Sequence, residues 1–170
     1  DTITDAAGTI NLDYDNRDFL TLIAYPSGRF LAFQYDDSGR RTSRTDETGF
    51  TLRYDYDAVG RLLRLRDTAG TQLIAYQYDA AGRLAREDRG NGTSTTYEYD
   101  SAGQILHLIH YAPNGSIQSR FDYTYDERGN RTSMTTLAGM TTYDYDTLGQ
   151  LVGVTYPNGS PATYEYDALG

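Results

Sequence analysis

Paired aspartates are the side chains of this 170-residue chain that come nearest to a catalytic arrangement. The pairs, each two positions apart, are Asp13 with Asp15, Asp55 with Asp57, and Asp144 with Asp146. Carboxyl groups about 5–9.5 Å apart hydrolyse glycosidic bonds, and residues 13–18 come nearest to a calcium-binding loop. Because the pairs recur along the chain instead of defining one site, we predict that Asp57 and its equivalents form turns and that Asp55 faces solvent.

The other side chains offer little catalytic chemistry. His107 and His110 are the only histidines, and three positions apart on a strand they face opposite sides, which argues against a shared metal. The chain has no cysteine and no lysine, so it lacks a thiolate ligand and the lysine of a phosphate-binding loop. We predict no catalytic residue, no metal site and no cofactor, and therefore a chain that is not an enzyme.

The charge and hydropathy of the chain argue against two classes of partner, nucleic acids and membranes. It carries 24 acidic residues against 15 basic ones, a net charge of -9. Binding to nucleic acid needs an excess of positive charge to neutralise phosphates, so we predict no nucleic-acid partner. No stretch approaches the roughly 18 apolar residues of a membrane-spanning helix, so we also predict no membrane insertion.

The elements that position these residues follow from a repeat. The motif Tyr-Asp-x-x-Gly recurs every 20 to 26 residues, with a degenerate copy at Tyr14 in which Asp18 replaces the glycine. Its complete copies are Tyr35, Asp36 and Gly39; Tyr56, Asp57 and Gly60; Tyr78, Asp79 and Gly82; Tyr99, Asp100 and Gly103; Tyr125, Asp126 and Gly129; Tyr145, Asp146 and Gly149; and Tyr166, Asp167 and Gly170.

Each repeat predicts one β-hairpin. A second glycine follows most motif glycines by 10 residues, as Gly49 follows Gly39, which leaves strands of about 6 to 8 residues. Asp at the first turn position and Gly at the fourth suit a type I turn followed by a left-handed residue. We therefore predict an all-β fold, an antiparallel ribbon of about 15 or 16 strands that curls, because open sheets seldom exceed about 10 strands.

Aromatic residues predict which face of the sheet packs. An aromatic ladder lies two positions before the motif tyrosines, at Phe33, Tyr54, Tyr76, Tyr97, Tyr123, Tyr143 and Tyr164, whereas the residue directly before each motif tyrosine is polar. This alternation predicts one aromatic face and one wet face, with the rings in a buried column. Arg40, Arg61 and Arg83, directly after the motif glycine, are predicted to stack on tyrosines or to pair with the turn aspartate; Gln104, Asn130 and Gln150 share that position.

The phased motif resembles the Rhs or YD-repeat family. The residues that carry the resemblance are the stretches 56–62 and 78–84, with similar stretches at 99–105, 125–131 and 145–151. The family includes bacterial Rhs and wall-associated toxins, the C component of insecticidal toxin complexes, and teneurins. The resemblance implies a hairpin ribbon that spirals into a hollow shell, which in bacterial members encloses a C-terminal toxin, in a secreted or cell-surface protein.

The resemblance also sets the functional prediction. We expect residues 1–170 to form a single repeat array excised from a longer shell, because the chain begins inside a repeat and ends inside a motif. Its predicted partners are the other repeats of the parent chain and an enclosed C-terminal polypeptide. The alternative is a carbohydrate- or cell-surface-binding module that uses its Tyr and Arg faces. The enlarged repeat, residues 105–121, is either an extended hairpin or a functional loop.

Overall fold

A computed structural model describes residues 1–167, and all of their regular secondary structure is β-strand. The chain divides into two compact units, unit 1 with residues 1–77 and 89–91, and unit 2 with residues 78–88 and those from 92 onward. The described residues form sixteen strands, in agreement with the predicted 15 or 16. The predicted all-β, antiparallel hairpin repeat is confirmed.

Eight strands begin within unit 1. They are β1 (Thr2–Asp5), β2 (Gly8–Tyr14), β3 (Leu20–Ala24), β4 (Phe30–Tyr35), β5 (Arg41–Asp46), β6 (Thr51–Tyr56), β7 (Leu62–Arg66) and β8 (Gln72–Tyr78). Each strand from β1 to β7 pairs antiparallel with the next strand in the sequence. Short loops between consecutive strands allow only this arrangement.

Eight further strands begin within unit 2. They are β9 (Leu84–Arg89), β10 (Ser94–Tyr99), β11 (Ile105–Tyr111), β12 (Ile117–Tyr125), β13 (Arg131–Thr136), β14 (Gly139–Tyr145), β15 (Leu151–Thr155) and β16 (Pro161–Thr163). They also pair antiparallel in sequence order. The enlarged repeat extends its hairpin instead of forming a long loop, since β12 contains nine residues.

Two sets of turns alternate along the chain. The corner turns contain the Tyr-Asp motif and lie at residues 15–18, 36–39, 57–60, 79–82, 100–103, 126–129 and 146–149. The opposite turns lie between them, at residues 5–8, 25–28, 46–49, 67–70, 89–92, 112–115, 136–139 and 156–159. At a corner such as Asp36, the Gly39 amide donates to the Asp36 carbonyl at 3.0 Å and the Asp36 amide donates to the Arg40 carbonyl at 2.9 Å.

The backbone angle φ is positive at the fourth residue of these turns, which explains why glycine occupies that position. Gly39 has a φ of 77° and Gly129 a φ of 86°, a region that a side chain disfavours because its Cβ meets the following carbonyl. In the degenerate copy Asp18 takes the place of glycine with a φ of 61°, and it is the one non-glycine residue of the described chain with positive φ. Asp and Asn tolerate this conformation better than other side chains.

A β-bulge flanks the corner turns, and its unpaired residue lies on the strand after the turn, as Thr42 and Thr132 do. The pairing register shifts between Gln34 and Tyr35, and again between Thr124 and Tyr125 at a later corner. A bulge opposes two residues on one strand to one on its partner and increases the local twist. The strict alternation of the sequence did not predict this shift.

Burial is shallow throughout the described residues. Phe33 and Val154 are the only apolar side chains there that reach full burial, at 8% and 5% exposure. Most ladder and motif tyrosines are half-buried, so the buried column predicted from the sequence is only half-buried. Neighbouring strands of the same sheet therefore provide most of the packing.

The last motif is described only in part. The final strand, β16, ends at Thr163, although the Tyr164 amide still donates to the Val152 carbonyl at 3.0 Å. Tyr166 and Asp167 are described, whereas Gly170 lies outside the described residues.

Candidate functional site

Each corner turn is closed by its aspartate. In the copy at Asp36, one carboxylate oxygen accepts the amides of Ser38 and Arg40 at 3.0 and 2.9 Å. The other oxygen accepts the Arg40 Nε at 2.7 Å. The same 2.7 Å side-chain bond joins Arg61 to Asp57 and Arg83 to Asp79. The carboxylate thus bonds to the turn itself and is not free for acid–base chemistry.

The residue after the motif glycine does not need a charge. Asn130 donates to Asp126 through both its backbone amide, at 2.8 Å, and its side-chain amide, at 2.9 Å. Gln104 bonds to Asp100 through the backbone amide alone, at 2.9 Å. The backbone bonds are therefore common to the corners, while the side-chain bond varies.

These bonds favour the ionised form of the corner carboxyls. The Arg40 backbone amide lowers the pKa of Asp36 and the Arg83 backbone amide lowers the pKa of Asp79, each against an opposing effect of burial. The Asn130 side-chain amide lowers the pKa of Asp126 in the same way. Hydrogen bonds donated to a carboxylate stabilise its charge, so these groups carry negative charge at neutral pH.

Six motif tyrosines join their hairpin to the one before it within each unit. Their hydroxyl groups donate to the carbonyl two residues after the preceding motif glycine, or after Asp18 in the degenerate copy, a contact we call the tyrosine bond. These bonds run from Tyr35 to Leu20, Tyr56 to Arg41, Tyr99 to Leu84, Tyr125 to Ile105, Tyr145 to Arg131 and Tyr166 to Leu151, at 2.8 to 3.0 Å. The sequence did not predict this contact, although a hydroxyl that recurs at the end of the strand before each corner was a signal for it.

Side chains after the motif glycine reach toward the next corner. Arg40 lies over the Tyr56 ring at 4.9 Å and Arg83 over the Tyr99 ring at 4.6 Å. Arg83 also donates to the Asp100 carbonyl at 2.8 Å. The stacking and the aspartate pairing, predicted as alternatives, thus occur together in one side chain.

Neutral residues after the motif glycine also make this contact between hairpins. Gln104 Nε2 donates to the Gly129 carbonyl at 3.2 Å. A hydrogen bond therefore replaces the ring stacking of arginine at this corner.

The aromatic ladder is interleaved with side chains of the intervening strands. Phe33 is buried, Tyr164 is exposed, and the other five ladder residues are half-buried. Arg41 lies 4.5 Å above the Phe33 ring, and Arg131 lies between Tyr123 at 5.6 Å and Tyr143 at 4.5 Å. The ladder face of each unit is called the aromatic face below, and its other side, which bears the polar residue before each motif tyrosine, the polar face.

The candidate carboxylate pairs do not converge. Asp55 pairs with Arg64 at 2.9 Å and with Arg66 at 2.6 Å on the neighbouring strand, whereas Asp57 closes its turn. In the run 13–18, Asp15 accepts the backbone amides of Arg17 and Phe19 instead of facing a cation site.

The two histidines have separate partners. His107 Nδ1 lies 2.5 Å from Asp122, and His110 Nδ1 lies 2.9 Å from the Thr95 hydroxyl. Residues 1–167 bring no three acidic or histidine side chains together as a metal site.

The opposite turns contain a contact of their own. A methyl group placed on Gly139 would lie 2.8 Å from Pro157, and one on Gly8 would lie 2.7 Å from Pro26. The next opposite turn along the chain thus places a proline ring directly against each of these glycines. The sequence did not predict this contact.

These features are those of an antiparallel hairpin repeat in which a recurring corner bonds one hairpin to the next. The chain matches the family model described as Teneurin YD-shell in two overlapping segments, residues 1–136 and 46–170. The chain therefore belongs to the YD-shell family, and the resemblance stated from the sequence is confirmed.

Solved structures of toxin complexes share the fold. The crystal structure of TcdB2-TccC3-TEV matches with a TM-score of 0.75 and 22% identity over 90% of this chain, and that of TcdB2-TccC3 with a TM-score of 0.73 and 21% identity over 88%. The Photorhabdus luminescens Tc holotoxin pore, with a TccC3 variant, matches with a TM-score of 0.68 and 23% identity over 88%. The chain spans only 9%, 9% and 8% of those chains.

No curated protein matches the sequence. Within residues 1–167 there is no helix long and apolar enough to cross a membrane.

Proposed function

We propose that this chain is a non-enzymatic wall segment of a YD shell, which supports or encloses another polypeptide of a secreted or cell-surface protein. The observation that carries the proposal is the series of tyrosine bonds, which join each hairpin to its predecessor within each unit. In this account the corner motif sets the stagger between neighbouring hairpins. The enclosed polypeptide is the C-terminal part of the parent chain.

The local character of the contacts suits a wall. Tyr125, for example, bonds to Ile105 in the preceding hairpin, and Gln104 bonds forward to Gly129. A structure in which each repeat contacts only its neighbours extends by addition of repeats. We therefore propose that residues 1–170 are one array within a longer shell.

The state of the carboxylates supports a non-enzymatic role. Asp57 is bonded within its turn and Asp55 is paired with two arginines, so neither presents a free carboxylate to a substrate. Glycan binding through the tyrosine rings, the alternative function, has less support because Arg40 and Arg83 already cover the rings of Tyr56 and Tyr99.

Protease protection in the full-length parent protein tests the proposal. A polypeptide enclosed by the wall should survive proteinase K while the wall is intact and be digested when tyrosine bonds are removed. The disrupting variant is Tyr99→Ala with Tyr125→Ala, and the matched control is Tyr25→Ala with Tyr156→Ala, which removes exposed rings from opposite turns. Digestion of the parent's C-terminal part at the same rate in wild type, control and disrupting variant would contradict enclosure.

A further inference from the structure

Four of the six asparagines of the chain lie in the triplet Asn-x-Ser/Thr, the sequence that N-glycosylating enzymes recognise. The triplets are Asn91-Gly92-Thr93, Asn114-Gly115-Ser116, Asn130-Arg131-Thr132 and Asn158-Gly159-Ser160. The middle residue is glycine or arginine and never proline, as recognition requires. Such a triplet is an acceptor only on an accessible surface of an exported protein, so the surroundings of each asparagine decide.

Hairpin formation explains only part of these triplets. Asn91, Asn114 and Asn158 hold the third position of an opposite turn, where Asn before Gly suits the backbone. The turn does not fix the residue after the glycine, because at the five other opposite turns it is Thr twice and Arg, Phe or Met once each. The Ser160 hydroxyl makes no hydrogen bond within residues 1–167, so its turn does not depend on it.

The side-chain nitrogens of Asn114 and Asn158 are available at the surface, where both residues are exposed. Ser116 donates to the Asn114 Oδ1 through its amide at 3.0 Å and its hydroxyl at 2.8 Å. The Ser160 amide donates to the Asn158 Oδ1 at 3.0 Å. In the part of the chain that the structure describes, neither Nδ2 makes a hydrogen bond. The turn therefore engages the oxygen and leaves the nitrogen, the atom that carries an N-linked glycan.

The space around these two turns is open. A methyl group placed on Gly115 or Gly159 would meet no atom of the described residues within 4 Å. At the remaining opposite-turn triplet, a methyl group on Gly92 would lie 3.0 Å from Pro113. Because a glycan is bulky, the two open turns accommodate it best, and Asn91 is left out of the inference.

Asn130 has the same recognition triplet in a different setting. It is half-buried after a corner glycine, and its Nδ2 donates to Asp126 at 2.9 Å. Its side chain also lies 3.9 Å from where a Cβ on Gly149 would stand, so a sugar on this nitrogen would enter the space between two corners. The chain thus supplies an internal comparison, one triplet engaged in a corner against two in open turns.

We infer that Asn114 and Asn158, both in unit 2, are sites of N-glycosylation. The inference rests on the part of the proposed function that makes this an exported protein. In the reaction, the Nδ2 bonds to the anomeric carbon of a glycosyl diphosphate, the diphosphate leaves with the electron pair of the broken bond, and the nitrogen loses one proton. Because turns lie at the edge of the sheet, glycans there leave the aromatic face and the polar face accessible to a supported polypeptide.

Peptide mapping of the exported parent protein by mass spectrometry tests the inference directly. We expect a glycan at Asn114 and at Asn158 and an unmodified Asn130. Unmodified Asn114 and Asn158 in the exported protein would overturn the inference. A glycan at Asn130 with none at the other two would also overturn it, because the open turns would then not be the sites.

The purified, folded chain tests whether the fold selects the sites. The probe is a soluble N-glycosyltransferase with UDP-glucose, and three capped peptides that contain the triplets of Asn114, Asn130 and Asn158 serve as the unfolded reference. Relative to its own peptide, Asn130 in the folded chain should react about tenfold more slowly than Asn114 or Asn158, because its corner must open first. Equal ratios at the three asparagines would contradict the structural argument.

Two variants remove a triplet and keep the acceptor nitrogen. S116A should abolish modification of Asn114 and leave that of Asn158 unchanged, S160A should do the reverse, and circular dichroism checks the fold. The matched control is Asn16, an exposed asparagine outside any triplet, and its modification would contradict the assignment.

The outcome is separable from that of the wall proposal. Glycans at both sites without protease protection of the C-terminal part would reject enclosure alone. Protection in an exported protein that lacks both glycans would reject this inference alone.

Discussion

The corner turns and most opposite turns share a backbone conformation but differ in what they connect. The Gly39 amide of a corner and the Gly49 amide of an opposite turn each donate to the first residue of their turn at 3.0 Å. The corner adds the recurring tyrosine bond, together with a side chain such as Arg40 that reaches the next hairpin. Opposite turns have occasional side-chain contacts instead, such as that of Arg29 with Glu47. Turn chemistry therefore forms the hairpin, and the corner motif connects one hairpin to another.

The opposite turns are correspondingly free to vary. A methyl group on Gly49 or Gly115 would meet no atom of the described chain within 4 Å, whereas Gly139 faces Pro157. Contacts between hairpins therefore occur at some opposite turns, but they lack the constant form of the tyrosine bond.

The largest loss of stability is expected from a substitution that removes the contacts of a corner. Tyr99→Ala should reduce the free energy of unfolding by about 3 kcal/mol, because it removes a half-buried ring and its hydroxyl bond to Leu84. Tyr156→Ala, in an opposite turn with 45% of the residue exposed, should stay within about 0.5 kcal/mol of wild type. Urea unfolding measures both, and equal losses would remove the distinction between the two kinds of turn.

Two glycines of the same repeat, one in a corner turn and one in an opposite turn, give a second comparison. Gly39→Ala and Gly49→Ala impose similar strain, since φ is 77° and 81°, but a Cβ at Gly39 would lie 2.6 Å from the Phe19 ring. We expect a loss of about 1 kcal/mol for Gly49→Ala and about 2–3 kcal/mol for Gly39→Ala. Thermal unfolding of the two variants at one protein concentration provides the measurement, and a larger loss for Gly49→Ala would contradict the packing described at the corner.

A smaller change removes one tyrosine bond without removing a ring. Tyr125→Phe leaves the Ile105 carbonyl without its 2.9 Å donor and should cost about 1 kcal/mol. Tyr156→Phe is the control, because its hydroxyl makes no hydrogen bond within residues 1–167, and it should change stability by less than about 0.5 kcal/mol. Indistinguishable urea midpoints for these variants would show that the tyrosine bond adds no stability.

Acid should weaken the corners. The pKa of each of Asp36, Asp79 and Asp126 is lowered in the folded state, so their contribution to stability is present above the unfolded pKa of about 3.9 and is lost as pH falls through the lower folded pKa. The variant D36N/D79N/D126N should therefore lose less stability than wild type between pH 6 and pH 3. Urea unfolding across this range tests the prediction, and parallel pH profiles would refute it.

The hairpin repeat could be predicted because its determinants are local. Asp36 and Gly39 lie within one turn, and the alternation before Tyr35 lies within one strand, so both leave a direct pattern in the sequence. The pairing of Arg40 with Asp36 spans four residues and was predicted for the same reason.

Contacts between hairpins could not be predicted in this way. The acceptor of the tyrosine bond is a backbone carbonyl, which every residue possesses. Its position depends on the stagger between strands and on the bulge beside the corner. Arg131 between two rings depends on the same stagger, and its residue type differs from that of most copies. A repeat period gives the spacing of the hairpins along the chain but not their offset in the sheet.

Amide hydrogen exchange tests most directly whether the corner is where hairpins are joined. Within unit 2, the amides of Gly129 at a corner and Gly115 at an opposite turn donate to turn carbonyls at similar distances, 3.0 and 2.9 Å. If the corner contacts join the hairpins, Gly129 should exchange more slowly than Gly115, because its opening must also break bonds to the neighbouring hairpin. Equal exchange, or slower exchange at Gly115, would contradict that account.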